Sequence, residues 1–100
     1  MIRHIVMIKL KNFSSEEVKT ANAKELKSEL ENLENKIDEI KFYEVGLNLS
    51  TSPSAYDVVL VSDFKNMKEL NNYRGHPEHV KVLDFLKSIT EKTAIVDFEK

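Results

Sequence analysis

One hundred residues suffice for one domain with a modest core, and 41% hydrophobic against 32% charged side chains describe a globular rather than a disordered chain. Fifteen Lys and Arg against seventeen Asp and Glu give a net charge of −2 with the signs interspersed, which excludes the basic stripe of a nucleic-acid binder. With no cysteine, disulfides, thiolate catalysis and thiolate metal sites are excluded as well. No apolar run approaches the ~20 residues that span a bilayer. The opening stretch Met1–Lys9 lacks the apolar core and cleavage site of a signal peptide. The expected address is the cytoplasm, with no membrane partner.

Ile2 to Lys11 reads as a strand in which both alternating sets carry apolar residues, so it is expected to be covered on both faces. Phe13-Ser14-Ser15-Glu16-Glu17-Val18 reads as a helix start, with Ser14 capping, Glu17 reaching back, and Phe13 stapled to Val18. Val18, Leu26, Leu30, Leu33 and Ile37 follow at a spacing near one helical turn, which predicts a helix over residues 15–36 with one apolar stripe. Ile40 to Leu49 and Tyr56 to Phe64 read as strands, joined by the polar turn Ser50–Ser54. Gly46 within the first of these marks a bulge or a close backbone approach.

Asn66 suits the cap of a short helix holding Met67, Leu70 and Tyr73, with Gly75 as its stop. Pro77 suits the first position of another helix. That helix presents Val80, Leu83 and Leu86, with Val82, Phe85 and Ile89 also available to the core. Thr93 to Phe98 closes the chain as a strand. The predicted fold is α+β, the ferredoxin-like order β-α-β-β-α-β, in a single domain over residues 1–100.

Right-handed crossovers place both helices on the same side of such a sheet. Parity assigns His4, Val6, Ile8, Val58, Leu60, Ile95 and Asp97 to the helix-covered face. It assigns Ile5, Met7, Val59, Val61, Ala94, Val96 and Phe98 to the other. Left open, that second face would exceed the few hundred Å2 of apolar patch usual for a soluble monomer, roughly. The expected remedy is a second copy, sheet against sheet.

The densest chemistry lies in Asn72-Tyr73-Arg74-Gly75-His76-Pro77-Glu78-His79, which holds two of the three histidines. This stretch, with Ile2–Lys9 at the start and Ile95-Val96-Asp97-Phe98 at the end, resembles the stress-responsive A/B barrel family over nearly the whole chain. The HPxxH element after a tyrosine is the most specific part of the match. The resemblance implies a dimeric α+β barrel. In the family's plant polyketide cyclases the tyrosine and the second histidine form an acid–base pair. It therefore implies Tyr73 and His79 as catalytic candidates, with His4 and Asp97 lining the same pocket. Val6, Ile8, Leu60, His76, Val82 and Ile95 complete the candidate ligand-binding set.

A histidine near neutrality can take a proton, and a phenol can polarise a carbonyl, so Tyr73 and His79 could promote proton abstraction without a cofactor. His76 and His79 on one helical turn diverge by about 60°, so no metal site is expected. Where the cyclases line their pocket with large aromatics, this chain has Val82, Thr90, Leu26 and Leu30, and a pocket of another shape is expected. Three readings stay open at this level. One is a homodimer binding a small apolar or carbonyl-containing molecule in a cavity between helices and sheet. Another is a cofactor-free lyase or isomerase. The last is a structural protein in which His76 and His79 only shape a helix joint and His4 and Asp97 satisfy each other.

Overall fold

The computed structural model describes all residues from Met1 to Lys100. The elements run β1 (Ile2–Leu10), α1 (Glu16–Glu31), β2 (Phe42–Leu47), β3 (Val58–Phe64), α2 (Met67–Gly75), α3 (Pro77–Ile89) and β4 (Thr90–Glu99). All strand pairs are antiparallel, in the order β2-β3-β1-β4. This is the predicted ferredoxin-like arrangement, with the second crossover divided into two helices.

The register follows the parity of the sequence. His4 lies opposite Ser62 on β3 and Asp97 on β4, and Val6 lies opposite Leu60 and Ile95. Ile8, Leu10, Val58, Leu60, Phe64, Tyr43 and Val45 are buried beneath the helices. Leu26 and Leu30 of α1, Leu70 and Tyr73 of α2, and Val82 and Ile89 of α3 pack onto them. On the opposite face Met7, Val96 and Phe98 remain 37%, 54% and 43% exposed. Gly46 is a close approach rather than a bulge, since a Cβ there would stand 3.2 Å from Val59 Cγ1. The irregularity in β1 falls instead at Lys9–Leu10, opposite the start of β4.

Several local expectations are corrected. Ser15, not Ser14, caps α1: its backbone is extended and its hydroxyl accepts from the Val18 amide at 3.2 Å. That places Glu16 and Glu17 in the first turn, where they complement the helix dipole, and leaves no glutamate at the position that closes a capping box. Val18 stays exposed. The first helix also ends at Glu31, and residues 32–36 continue in turns. Bonds such as Leu33 N–H to Leu30 O and Ile37 N–H to Leu33 O keep a helix-like spacing there, so Leu33 and Ile37 still reach the core.

Gly75 does not stop α2 from a left-handed conformation, because no residue has positive φ. It is the last residue of α2, and His76 turns the chain with φ −65° and ψ 136°. His76 thus both closes α2 and caps α3, and Pro77 occupies the first turn of α3 as predicted. Along α3, Val82 and Ile89 face the core, whereas Val80 points outward.

Candidate functional site

The division of the second crossover brings four elements to one end of the covered sheet face. β1 supplies His4, β4 supplies Asp97, α2 supplies Tyr73 and Arg74, and α3 supplies His79. The Asn66 side chain fixes the start of α2 by accepting from the Glu69 amide at 3.0 Å. From there Leu70 and Tyr73, one turn apart, point inward.

Tyr73 is 1% exposed and sits at the centre of a ring cluster. Its ring centroid is 4.5 Å from His79, 4.9 Å from Phe64, 6.2 Å from Tyr43 and 6.3 Å from His4. The Tyr73 and Tyr43 hydroxyls are hydrogen-bonded at 2.8 Å. Burial pushes the Tyr73 phenol up to about 12, against the pull of the Tyr43 bond and the Arg74 charge. Burial, with Tyr73 alongside, also raises Tyr43. Both phenols therefore stay protonated, and a pair sharing one hydrogen bond has one O–H to spare.

The histidines are held in defined tautomers. His79 Nδ1 lies 3.0 Å from the Arg74 carbonyl, which can only accept, so Nδ1–H donates and Nε2 carries the lone pair. Burial lowers the His79 pKa, outweighing that backbone bond, which favours the charged form. His4 donates through Nδ1 to Asp97 Oδ1, and Arg74 Nη2 donates to Asp97 Oδ2 at 2.8 Å. Burial works against the Asp97 charge, but the bonds from His4 and Arg74 together hold its carboxyl below the usual carboxylate range.

Thr90 Oγ1 is the one fully buried side-chain polar atom without a hydrogen-bond partner. The Nε2 atoms of His4 and His79 have no protein partner either, so they retain contact with the surface.

His76 takes the opposite tautomer. Its Nδ1 accepts from the Glu78 amide at 3.1 Å, so its lone pair is spent on the helix cap. The candidate residues thus divide. His4, Tyr73, His79 and Asp97 come together, with Tyr73 and His79 in ring contact and the Tyr73 hydroxyl turned to Tyr43. Ile8, Leu60 and Val82 are core residues, and Val6 packs against that core. Ile95 lies on the same sheet face but is 56% exposed, since the helices do not cover the edge strand there.

Sequence reasoning missed Tyr43, Arg74 and Ser62, whose hydroxyl donates to the His4 carbonyl at 3.4 Å. The alternation of β2 placed Tyr43 beside Val45 on the inner face, which was the available signal. A cleft of about 670 Å3 lies between the start of α1 and the loop after β2, lined by Lys9, Lys19, Thr20, Ser52 and Asp57 among others. Another of about 460 Å3 lies on the open sheet face around Met7 and Val59. Neither is lined by His4, Tyr73, His79 or Asp97.

The state of His79 has a measurable consequence. The folded chain keeps this imidazole neutral to lower pH than the unfolded chain does. As pH falls through the ordinary 6.5, the unfolded chain binds the proton first and stability is lost. The lowered carboxyls of Asp63 and Asp97 contribute stability above their ordinary 3.8, and it is lost only below that. Urea unfolding midpoints measured at pH 7 and pH 5 are expected to fall more in the wild-type chain than in His79→Gln.

Comparison with known proteins agrees with this architecture. A dimeric ferredoxin-like protein of unknown function from Bacteroides fragilis is 34% identical, with a TM-score of 0.90 over 99% of this chain and 95% of that one. A dimeric ferredoxin-like protein from Thermobifida fusca is 23% identical, with a TM-score of 0.83 over 99% of this chain and 90% of that one. The hydroxynitrile lyase from Passiflora edulis is 19% identical, with a TM-score of 0.79 over 97% of this chain and 90% of that one. The last two share the fold alone. No curated protein matches the chain, and no helix is long and apolar enough to cross a membrane. The stress responsive A/B barrel domain matches residues 2–100, and with the fold and the histidine cluster in place this chain belongs to that family.

Proposed function

We propose that two copies pair through the open sheet face, and that each holds a small carbonyl-bearing molecule at the cluster around His79 and His4. The pairing is supported by the open apolar face and by the dimeric state of the Bacteroides fragilis relative. The observation that carries the binding reading is a set of polar groups left without a protein partner at one end of the covered sheet face. Two imidazole Nε2 atoms and one phenolic O–H lack a protein partner. A small molecule with a carbonyl and an adjacent polarised hydrogen complements such a set.

A second reading is cofactor-free proton transfer on that molecule, with His79 as base and Tyr73 as acid. The contact of the two rings at 4.5 Å favours it. So does the state of each group, since His79 is a neutral imidazole with its lone pair on Nε2 and Tyr73 stays protonated. The Tyr73 hydroxyl would have to turn from Tyr43 toward the substrate.

Calorimetric titration with 2,4-pentanedione, a small diketone, tests the binding reading. Saturable binding is expected in the wild-type chain, weaker by about tenfold in His79→Ala, the loss of one good hydrogen bond. Equal affinity in the two folded proteins would remove His79 from the site.

A further inference from the structure

We infer that Arg74 sets both imidazoles of the cluster, one through its side chain and one through its main chain, and so is the positioning residue of the site proposed above. The inference rests on that reading of the site. Arg74 stands in the last turn of α2, one residue before the chain turns at Gly75 and His76. Carbonyls in the last turn of a helix have no intrahelical partner, and the Arg74 carbonyl is taken by His79 Nδ1–H at 3.0 Å. In the other direction its guanidinium holds Asp97 Oδ2 at 2.8 Å while Asp97 Oδ1 receives His4 Nδ1–H.

Both oxygens of the carboxylate are therefore committed. The carboxylate cannot rotate without breaking one bond, and the His4 ring is oriented with it. A single residue thus ties β1, β4, α2 and α3 into one polar chain, from His4 through Asp97 and Arg74 to His79. Arg74 also has Asn71 Oδ1 at 3.3 Å, which fixes the guanidinium along the helix surface.

A purely structural ion pair is the competing account. The Arg74 side chain is 37% exposed and that of Asp97 is 21% exposed, and pairs this open to solvent add little stability. What the pair does supply is orientation, in the way an outer carboxylate fixes the tautomer of a working histidine.

Ring 15N spectra of the ligand-free protein with labelled histidine, recorded at pH 8, read that orientation directly. Arg74→Ala is expected to turn the single Nδ1–H form of His4 into a mixture of tautomers. His79 is expected to keep its spectrum, because the main-chain carbonyl remains. Arg74→Lys, whose ammonium can still reach Asp97 Oδ2, is expected to restore the His4 signal. Asp97→Asn in the otherwise intact chain provides the same reading from the other end, again with His79 unmoved. An unchanged His4 spectrum in Arg74→Ala overturns the inference. So does a change of equal size at both histidines, which would mark a general loosening of α2. Because no ligand is present, failure of the diketone to bind leaves this test standing. An unaltered Arg74→Ala spectrum removes the role of Arg74 without touching the binding reading.

Discussion

Replacing Tyr73 by alanine is expected to cost about 3–5 kcal/mol of folding stability, the range for emptying a large aromatic site in a packed core. Tyr73 is the largest of the fully buried side chains and touches the Phe64, Tyr43, His4 and His79 rings at once, so no neighbour can collapse into the space without abandoning another contact. Tyr73→Phe separates the hydroxyl from the ring. It keeps the packing and strands the buried Tyr43 hydroxyl, at a cost of about 1–3 kcal/mol. Urea denaturation gives both values. The difference between the two variants is what the ring contributes beyond its hydroxyl. If Tyr73→Phe were as damaging as Tyr73→Ala, the hydrogen bond to Tyr43 rather than the packing would hold this end of the core.

Val96→Asp is expected to abolish self-association while leaving the fold of the single chain intact. Val96 lies on the open face of β4 directly opposite Ile5, with Met7, Val59, Val61 and Phe98 on the same surface. In one chain this position is 54% exposed, so an aspartate there is hydrated and cheap. Pressed against a second sheet it becomes an unpaired buried charge, worth about 3–5 kcal/mol in each copy. Two such penalties weaken a C2 dimer by several orders of magnitude, at about 1.4 kcal/mol per tenfold. Sedimentation equilibrium is expected to give a mass near twice 11.6 kDa for the wild-type chain and near 11.6 kDa for the variant, with matching circular dichroism. A variant that sediments as the wild type would place the contact on another surface.

The strands and their faces were legible because alternation survives in the folded chain. The even positions of β1, from His4 to Leu10, all point beneath the helices, and as far as Ile8 their partners on β3 and on β4 keep one parity each. The end of α1 was not legible. The turns over residues 32–36 and the bonds of three- and four-residue span that run on to Ile37 make Leu33 and Ile37 recur where a longer helix would have placed them. The cap at Ser15 was hidden by an adjacent serine of equal propensity. The outcome depended on which residue became extended, a choice that local chemistry leaves nearly degenerate.

The candidate site was half legible. His4 and Asp97 were placed together because first and last strands are neighbours in this topology, and the register sets them opposite one another. The use of Arg74 to bind Asp97 across to α2, and of Tyr43 to take the Tyr73 hydroxyl, depends on contacts between residues 23 and 30 positions apart. No periodicity encodes such pairings. The two histidines of the motif were alike in sequence and differ in the fold. One spends its lone pair on the amide of Glu78, while the other gives its proton to Arg74 and keeps the lone pair free.

The most direct measurement is to locate the bound diketone by following histidine and tyrosine ring resonances and backbone amides through a titration of the wild-type chain. Saturable shifts centred on His79, His4 and Tyr73 are expected, with Arg74 and Asp97 moving beside them. Shifts confined to Thr20, Ser52 and Asp57, which line the cleft beside α1, would contradict it, since the ligand would then sit away from the histidines altogether.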